Sequence, residues 1–124
     1  MIRKIAFTIY PVTDMQRARK FYEEVLKLKL GSVFANGEWV EYDLPNEGCF
    51  AITTLSKDTL PSSVAGGTVA FEVDNLDDLM AALKAKHVEF KMEAVITPVC
   101  KMAVILDSEG NSLILHKLHD KFKL

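Results

Sequence analysis

Glu72 and His116 are the side chains in this sequence best suited to moving a proton. An imidazole titrates near neutrality, and a carboxylate beside it decides which ring nitrogen is left free. Each stands toward the end of an apolar, β-favouring run, so a sheet that joins those runs would let the two meet. They would then make a general base with its partner, or a fallback two-ligand metal site. The ordinary alternative is a solvated or salt-bridged pair at a rim. Trp39 and Glu41 share a strand face. The indole can stack on a planar ligand or fill a core, and the acid can line a pocket or serve a contact between copies. Cys100, in Thr97-Pro98-Val99-Cys100-Lys101, is the better placed of two thiols, because Lys101 would favour the thiolate through its field. Neighbouring strand residues point to opposite faces, however, which argues for an inert thiol. Cys49 and Cys100 have no partner ligands at zinc spacing. His119 falls in a Lys-rich tail, and His87 follows a helix whose dipole it can favour.

The elements that must position these groups begin with Ile5 to Leu30. Ile5, Ala6, Phe7, Ile9, Tyr10 and Val12 read as a strand buried on both faces. Thr13 and Gln16 stand at capping-box spacing. Met15, Ala18, Phe21, Tyr22, Val25 and Leu26 then recur every three or four residues, giving a helix with one apolar face that Gly31 would stop. Tyr10, Phe21 and Tyr22 are expected to pack strand against helix. Ala35-Asn36-Gly37 is a hairpin signal between Gly31–Phe34 and the alternating Glu38–Leu44. Pro45 to Gly48 is a turn, and Cys49 to Leu55 is β-like. The order then repeats. Thr68 to Val73 is a strand, Asn75 a helix cap, and Leu76, Leu79, Met80 and Leu83 a helical stripe. Val88 to Met92 and Cys100 to Leu106 are strands, Asp107 to Asn111 a tight turn, and Ser112 to His116 the last strand. Val12 to Met15 lies over Val73 to Leu76, and Trp39 to Ala51 over Met102 to Ile114. The economical account is an α+β chain of two tandem β-α-β-β-β modules curving into one incomplete barrel. Module 1 spans residues 1–56, a linker 57–67, module 2 residues 68–117 and a tail 118–124, all in a single domain of 124 residues.

Composition restricts the partners. Apolar residues are 49% of the chain and charged ones 26%, with a net charge of −2, which suits a globular protein and offers no basic footprint for nucleic acid. No apolar run reaches the roughly 20 residues that span a bilayer. The start MIRKIAFTIY lacks the pattern of a signal peptide, so the expected location is the cytoplasm.

Three segments carry a family likeness. YPVTDMQRARKFYEEVLKLKL, GTVAFEVDNLDDL and AVILDSEGNSLILHK resemble, in that order, the first strand and helix, the second-module start and the closing turn and strand of the vicinal oxygen chelate superfamily. That superfamily includes glyoxalase I, bleomycin-resistance proteins and extradiol dioxygenases. The resemblance implies a concave cup, a homodimer and, in the metal enzymes, one divalent ion held by His, Gln or Glu from both modules. Here the matching positions are Phe7, Ala51, Thr68 and Ile114. Three have no lone pair to offer and the fourth only a neutral hydroxyl, so no metal and no other cofactor is expected. If these positions face the cup, alternation adds Ile9, Thr53, Ala70, Glu72, Ser112 and His116, with Trp39, Glu41, Cys100 and Met102 on the third strands. The resulting expectation is a glyoxalase-like protein that holds a small organic ligand without a metal. Phe7, Trp39, Glu41, Ala51, Thr53, Thr68, Cys100, Met102 and Ile114 would bind it, and Glu72 and His116 would be the candidate catalytic pair. Two alternatives stand beside it. One is a metal-dependent lyase, isomerase or dioxygenase with displaced ligands such as Glu41, Glu72 and His116. The other is a dimeric scaffold whose cup is filled by Phe7, Trp39, Met102 and Ile114.

Overall fold

The computed structural model describes Met1, Arg3 and residues 5–122. The chain divides into two compact units, Met1–Pro61 and Ser62–Leu124. Each runs strand, helix, three strands, and each carries its own open four-stranded sheet. The expected α+β architecture of two tandem β-α-β-β-β modules is therefore present. The end of the expected tail, at positions 123 and 124, lies outside the described residues. No helix among the described residues is long and apolar enough to cross a membrane.

In the first unit, β1 (Thr8–Pro11) is followed by α1 (Met15–Lys20), β2 (Leu30–Phe34), β3 (Trp39–Leu44) and β4 (Gly48–Thr53), in the sheet order β1-β4-β3-β2. β1 lies parallel to β4, and the other pairs are antiparallel. The expected strand from Ile5 is shorter than its apolar run. β1 is an edge strand, Ile5 and Phe7 are exposed, and ladder pairing begins only at Thr8 opposite Phe50. The helix cap is also one residue later than expected. Asp14, not Thr13, is the cap: its backbone is extended, and its Oδ1 accepts the Arg17 N–H at 3.0 Å. A carboxylate is the stronger acceptor and suits the positive end of the helix.

Beyond Lys20 the helix widens into a π-helical turn over Phe21–Val25, closed by Leu26 N–H donating to Phe21 O at 3.0 Å. The successive aromatics Phe21 and Tyr22 are both buried there. Tyr22 lies 5.1 Å from Phe50 and 6.1 Å from Tyr42, and Tyr10 meets Phe50 edge-on at 5.4 Å. Offset and edge-to-face geometries of this kind add to plain burial. The buried Tyr42 phenol donates to Glu23 Oε2 at 2.8 Å, and Arg19 Nε meets the same oxygen at 2.7 Å. Lys27 at φ 61° ends the turn. Gly31 is not the stop that the pattern suggested. It lies in β2 at a register shift, where an added Cβ would stand 2.5 Å from Asp43 Oδ2.

In the second unit, β5 (Val69–Glu72) is followed by α2 (Leu76–Ala85), β6 (Phe90–Ile96), β7 (Cys100–Leu106) and β8 (Ser112–Leu118), in the order β5-β8-β7-β6 with β5 parallel to β8. Asn75 caps α2 as its type and position suggest, with Oδ1 accepting Asp78 N–H at 3.0 Å. Leu76, Met80 and Leu83 make the buried face of α2, while Ala103, Ile105, Leu113 and Leu115 are buried on the strands. The β7–β8 turn is held by Asp107 Oδ1, which accepts the N–H groups of Glu109 and Asn111 at 2.8 Å. Gly110, at φ +93°, takes a conformation that a side chain would strain.

Candidate functional site

A helix covers one face of each sheet, so chemistry is left to the other face. In the second unit, pairing sets out two rows across that face. Ala70, Ile114 and Val104 form one, and Glu72, His116 and Met102 the next. The parallel register of β5 on β8 thus brings together the two side chains singled out for proton transfer. His116 Nδ1 and Glu72 Oε1 are 2.5 Å apart, and Glu72 Oε2 accepts Leu118 N–H at 2.9 Å. Partial burial works to raise the Glu72 pKa, but the Leu118 N–H and then His116 outweigh it and hold the carboxyl below its ordinary value. With Nδ1 engaged, Nε2 is the nitrogen left to meet a ligand.

One row away, toward the start of β8, the face opens into a hollow of about 270 Å³. Its walls are Ser63, Val64, Ala65, Thr68, Lys91, Met92, Val104, Ser112 and Ile114. Thr68 and Ile114 were expected as ligand contacts, and both line it. The segment 62–65 is tied over one side. Asn111 Oδ1 accepts Ser62 N–H at 3.0 Å, and Ser63 O accepts from Ser112 Oγ at 2.7 Å and also from Lys91 Nζ. Apolar walls with a few polar groups are the usual make-up of a small-molecule site. A larger depression of about 790 Å³ runs along α1 past Arg17, Lys20 and Glu24. Its walls are charged or polar side chains of α1, its cap and the turn that follows, with Met15 as the apolar exception, so it offers no enclosing apolar surface.

On the corresponding face of the first unit the side chains engage one another. Trp39 Nε1–H donates to Glu41 Oε2 at 2.8 Å, and Phe7 meets the indole edge-on at 5.4 Å. Ala51 is wholly buried and Thr53 nearly so. The Thr53 hydroxyl donates to Glu38 O at 2.7 Å and accepts Leu55 N–H at 2.9 Å. Thr53 is therefore committed to the backbone. Cys100 is buried, with its sulfur 3.2 Å from Thr97 Oγ1, and Lys101 reaches Asp77 instead. Met102 lies beside His116, outside the hollow.

Sequence reasoning missed Lys91, Met92, Val104 and the strap residues. Phe90 pairs with Ile105 and Met92 with Val104, so two steps on β6 answer one on β7. Lys91 is the extra residue of that bulge. Simple alternation would put Phe90 and Met92 on one face, whereas the bulge separates them and lets Lys91 and Met92 line the same hollow. No periodicity in the segment announces it.

The donor set does not suit a divalent ion. Phe7, Ala51 and Ile114 carry no lone pair, and Thr68 only a hydroxyl. Both oxygens of Glu72 already accept hydrogen bonds, and Glu41 accepts from Trp39. Among the described residues no three His, Cys, Asp or Glu side chains are grouped to hold a metal.

Comparisons with known proteins give the family. The sequence model described as Glyoxalase/Bleomycin resistance protein/Dioxygenase superfamily matches residues 4–115. Curated protein sequences yield no match. Among solved structures, an antibiotic binding protein from Streptomyces sp. CB03234 superposes with TM-score 0.82 at 21% identity, covering 95% of this chain and 98% of that one. A glyoxalase/dioxygenase from Nostoc punctiforme gives TM-score 0.80 at 17% identity over 95% and 92%. A lactoylglutathione lyase from Agrobacterium tumefaciens gives 0.71 at 18% over 92% of each. At such identities the likeness speaks for the fold. With the family's sequence pattern running through both units, the chain belongs to the glyoxalase/bleomycin resistance protein/dioxygenase superfamily.

Proposed function

We propose that the protein binds a compact organic molecule against the open face of its second sheet, without a metal. The observation that carries this reading is the hollow of about 270 Å³, whose walls include Thr68 and Ile114 where the family's metal enzymes would place donors. That volume lies just below the roughly 300–1,000 Å³ of pockets for drug-sized ligands, so a small ring or branched chain suits it. The likeness in fold to an antibiotic binding protein is in keeping with this reading.

The test is an amide-resolved NMR titration with phenylacetate and phenylacetamide at millimolar concentration. Binding moves the signals of Thr68, Met92, Val104 and Ile114, and Thr68→Phe, which fills the hollow, abolishes the movement. If neither compound moves those signals in the unaltered protein, the reading fails and a scaffold role takes its place.

The Glu72–His116 contact favours a second reading, proton abstraction next to a carbonyl by His116 Nε2. Deuterium exchange into the methylene of 2-oxobutyrate would run above the buffer rate and fall to it in His116→Gln. Equal rates in both proteins remove this reading. We also infer a homodimer, since the edge strands β2 and β6 present the exposed Phe34 and Ile96. Sedimentation velocity should give twice the monomer mass.

A further inference from the structure

We propose that Lys91 makes the hollow selective for organic anions, so that the ligand is a small carboxylate or a similarly charged acid on an apolar body. The inference rests on the hollow being the binding site and adds the chemical class of what it takes. Three observations carry it. Lys91 is the one extra residue of the bulge between Phe90 and Met92, and the bulge turns its side chain toward the hollow. Its ammonium donates to a neutral acceptor, Ser63 O, whereas Lys84 and Lys101 each face a carboxylate, Glu93 and Asp77. None of the residues lining the hollow is acidic.

Exchanging partners would cost little. Ser63 O also accepts from Ser112 Oγ at 2.7 Å, so it keeps a donor when Lys91 swings to a ligand carboxylate. A charge-assisted bond then replaces one to a neutral carbonyl. The apolar body would rest on Ile114, Val104 and Met92. The protein as a whole carries a net charge of −2, which disfavours anions at long range, so a preference for one must be local.

Phenylacetate and phenylacetamide share a shape and differ in charge, and their affinities are compared by the same NMR titration at low salt. In the unaltered protein the carboxylate binds about fivefold or more tightly, the scale of a partly screened ion pair. Lys91→Gln brings the two affinities together by weakening phenylacetate alone, Lys91→Arg retains the preference, and half-molar sodium chloride reduces it. Equal affinities in the unaltered protein, or a preference that survives Lys91→Gln, overturn the inference while leaving the hollow a binding site. Absence of binding by both compounds overturns the two readings together.

Discussion

Glu41 and Val104 hold the same place in their sheets, opposite Ala51 and Ile114, and Trp39 and Met102 match one row on, opposite Thr53 and His116. β1 and β5 continue the correspondence, with Ile9 and Pro11 standing where Ala70 and Glu72 stand. One bulge is shared as well, although β6 has a second register shift, between Met92 and Val95, that β2 lacks. Gly31 is the extra residue between Leu30 and Ser32, and Lys91 the extra residue between Phe90 and Met92. The side chains nevertheless differ at every one of these places. In the first sheet the polar pair is Trp39 with Glu41, both on β3. In the second it is Glu72 with His116, joining β5 to β8. Phe7, just before β1, leans on Trp39, whereas Thr68, just before β5, borders the hollow. Register has been kept while volume and polarity were redistributed. An aromatic packs beside a bonded indole on one face, and a threonine beside valine and isoleucine borders a hollow on the other.

The sharpest way to break this comparison is to exchange the floor residues. Ala51→Ile puts the second sheet's side chain into a site with no exposed surface, and overpacking should cost about 1–3 kcal/mol in denaturant unfolding. Ile114→Ala removes a half-buried side chain beside an existing space and should cost about 1 kcal/mol. If Ala51→Ile is the milder change, Ala51 is not packed as described.

The helix side of the first unit gives the next effect. Tyr42→Phe removes the donor to Glu23 and should cost about 1 kcal/mol. The Arg19 hydrogen bond is the largest influence on Glu23, and with the Tyr42 phenol it outweighs desolvation and holds the carboxyl below its ordinary pKa. A depressed carboxyl stabilises the fold above its unfolded pKa and loses that contribution as pH falls through the folded value. The stability gap between the unaltered protein and Glu23→Gln should accordingly narrow below about pH 4.5. A gap that widens there would contradict the assignment.

Phe7→Thr tests the aromatic lid more gently. Phe7 is 44% exposed, so its loss should cost about 0.5–1 kcal/mol. Trp39 is the one tryptophan of the chain, and its emission should shift to the red as the indole meets water. The smallest effect belongs to Glu72→Gln. Glu72 is half-exposed and screened, so unfolding should change by less than about 0.5 kcal/mol. That difference, too, should vanish on acidification, because its pKa is lowered.

The α+β class, the order of elements, the Asn75 cap and the Asp107–Asn111 turn were legible in the sequence because each is a local signal. Periodicity marks a buried face, and short polar side chains mark helix starts and turns. The pairing of Glu72 with His116 was legible at one remove, since both end strands that a duplicated module must place side by side. Local rules misplaced what depends on neighbours. Thr13 lost the cap to Asp14, and the stop assigned to Gly31 came earlier, through a π-helical turn that buries Phe21 and Tyr22 together. Thr53 and Cys100 had the right types to contact a ligand, yet their polar atoms meet Glu38 and Leu55 in one case and Thr97 in the other.

By itself, then, the sequence determined the two modules and the absence of metal donors at the four matched positions, because residue type and spacing travel with the chain. Tertiary structure decided which face holds space and which charge overlooks it. A one-residue bulge on β6 reverses the alternation that pattern reading assumes, and a strap from another part of the chain supplies the wall and the carbonyl that Lys91 meets.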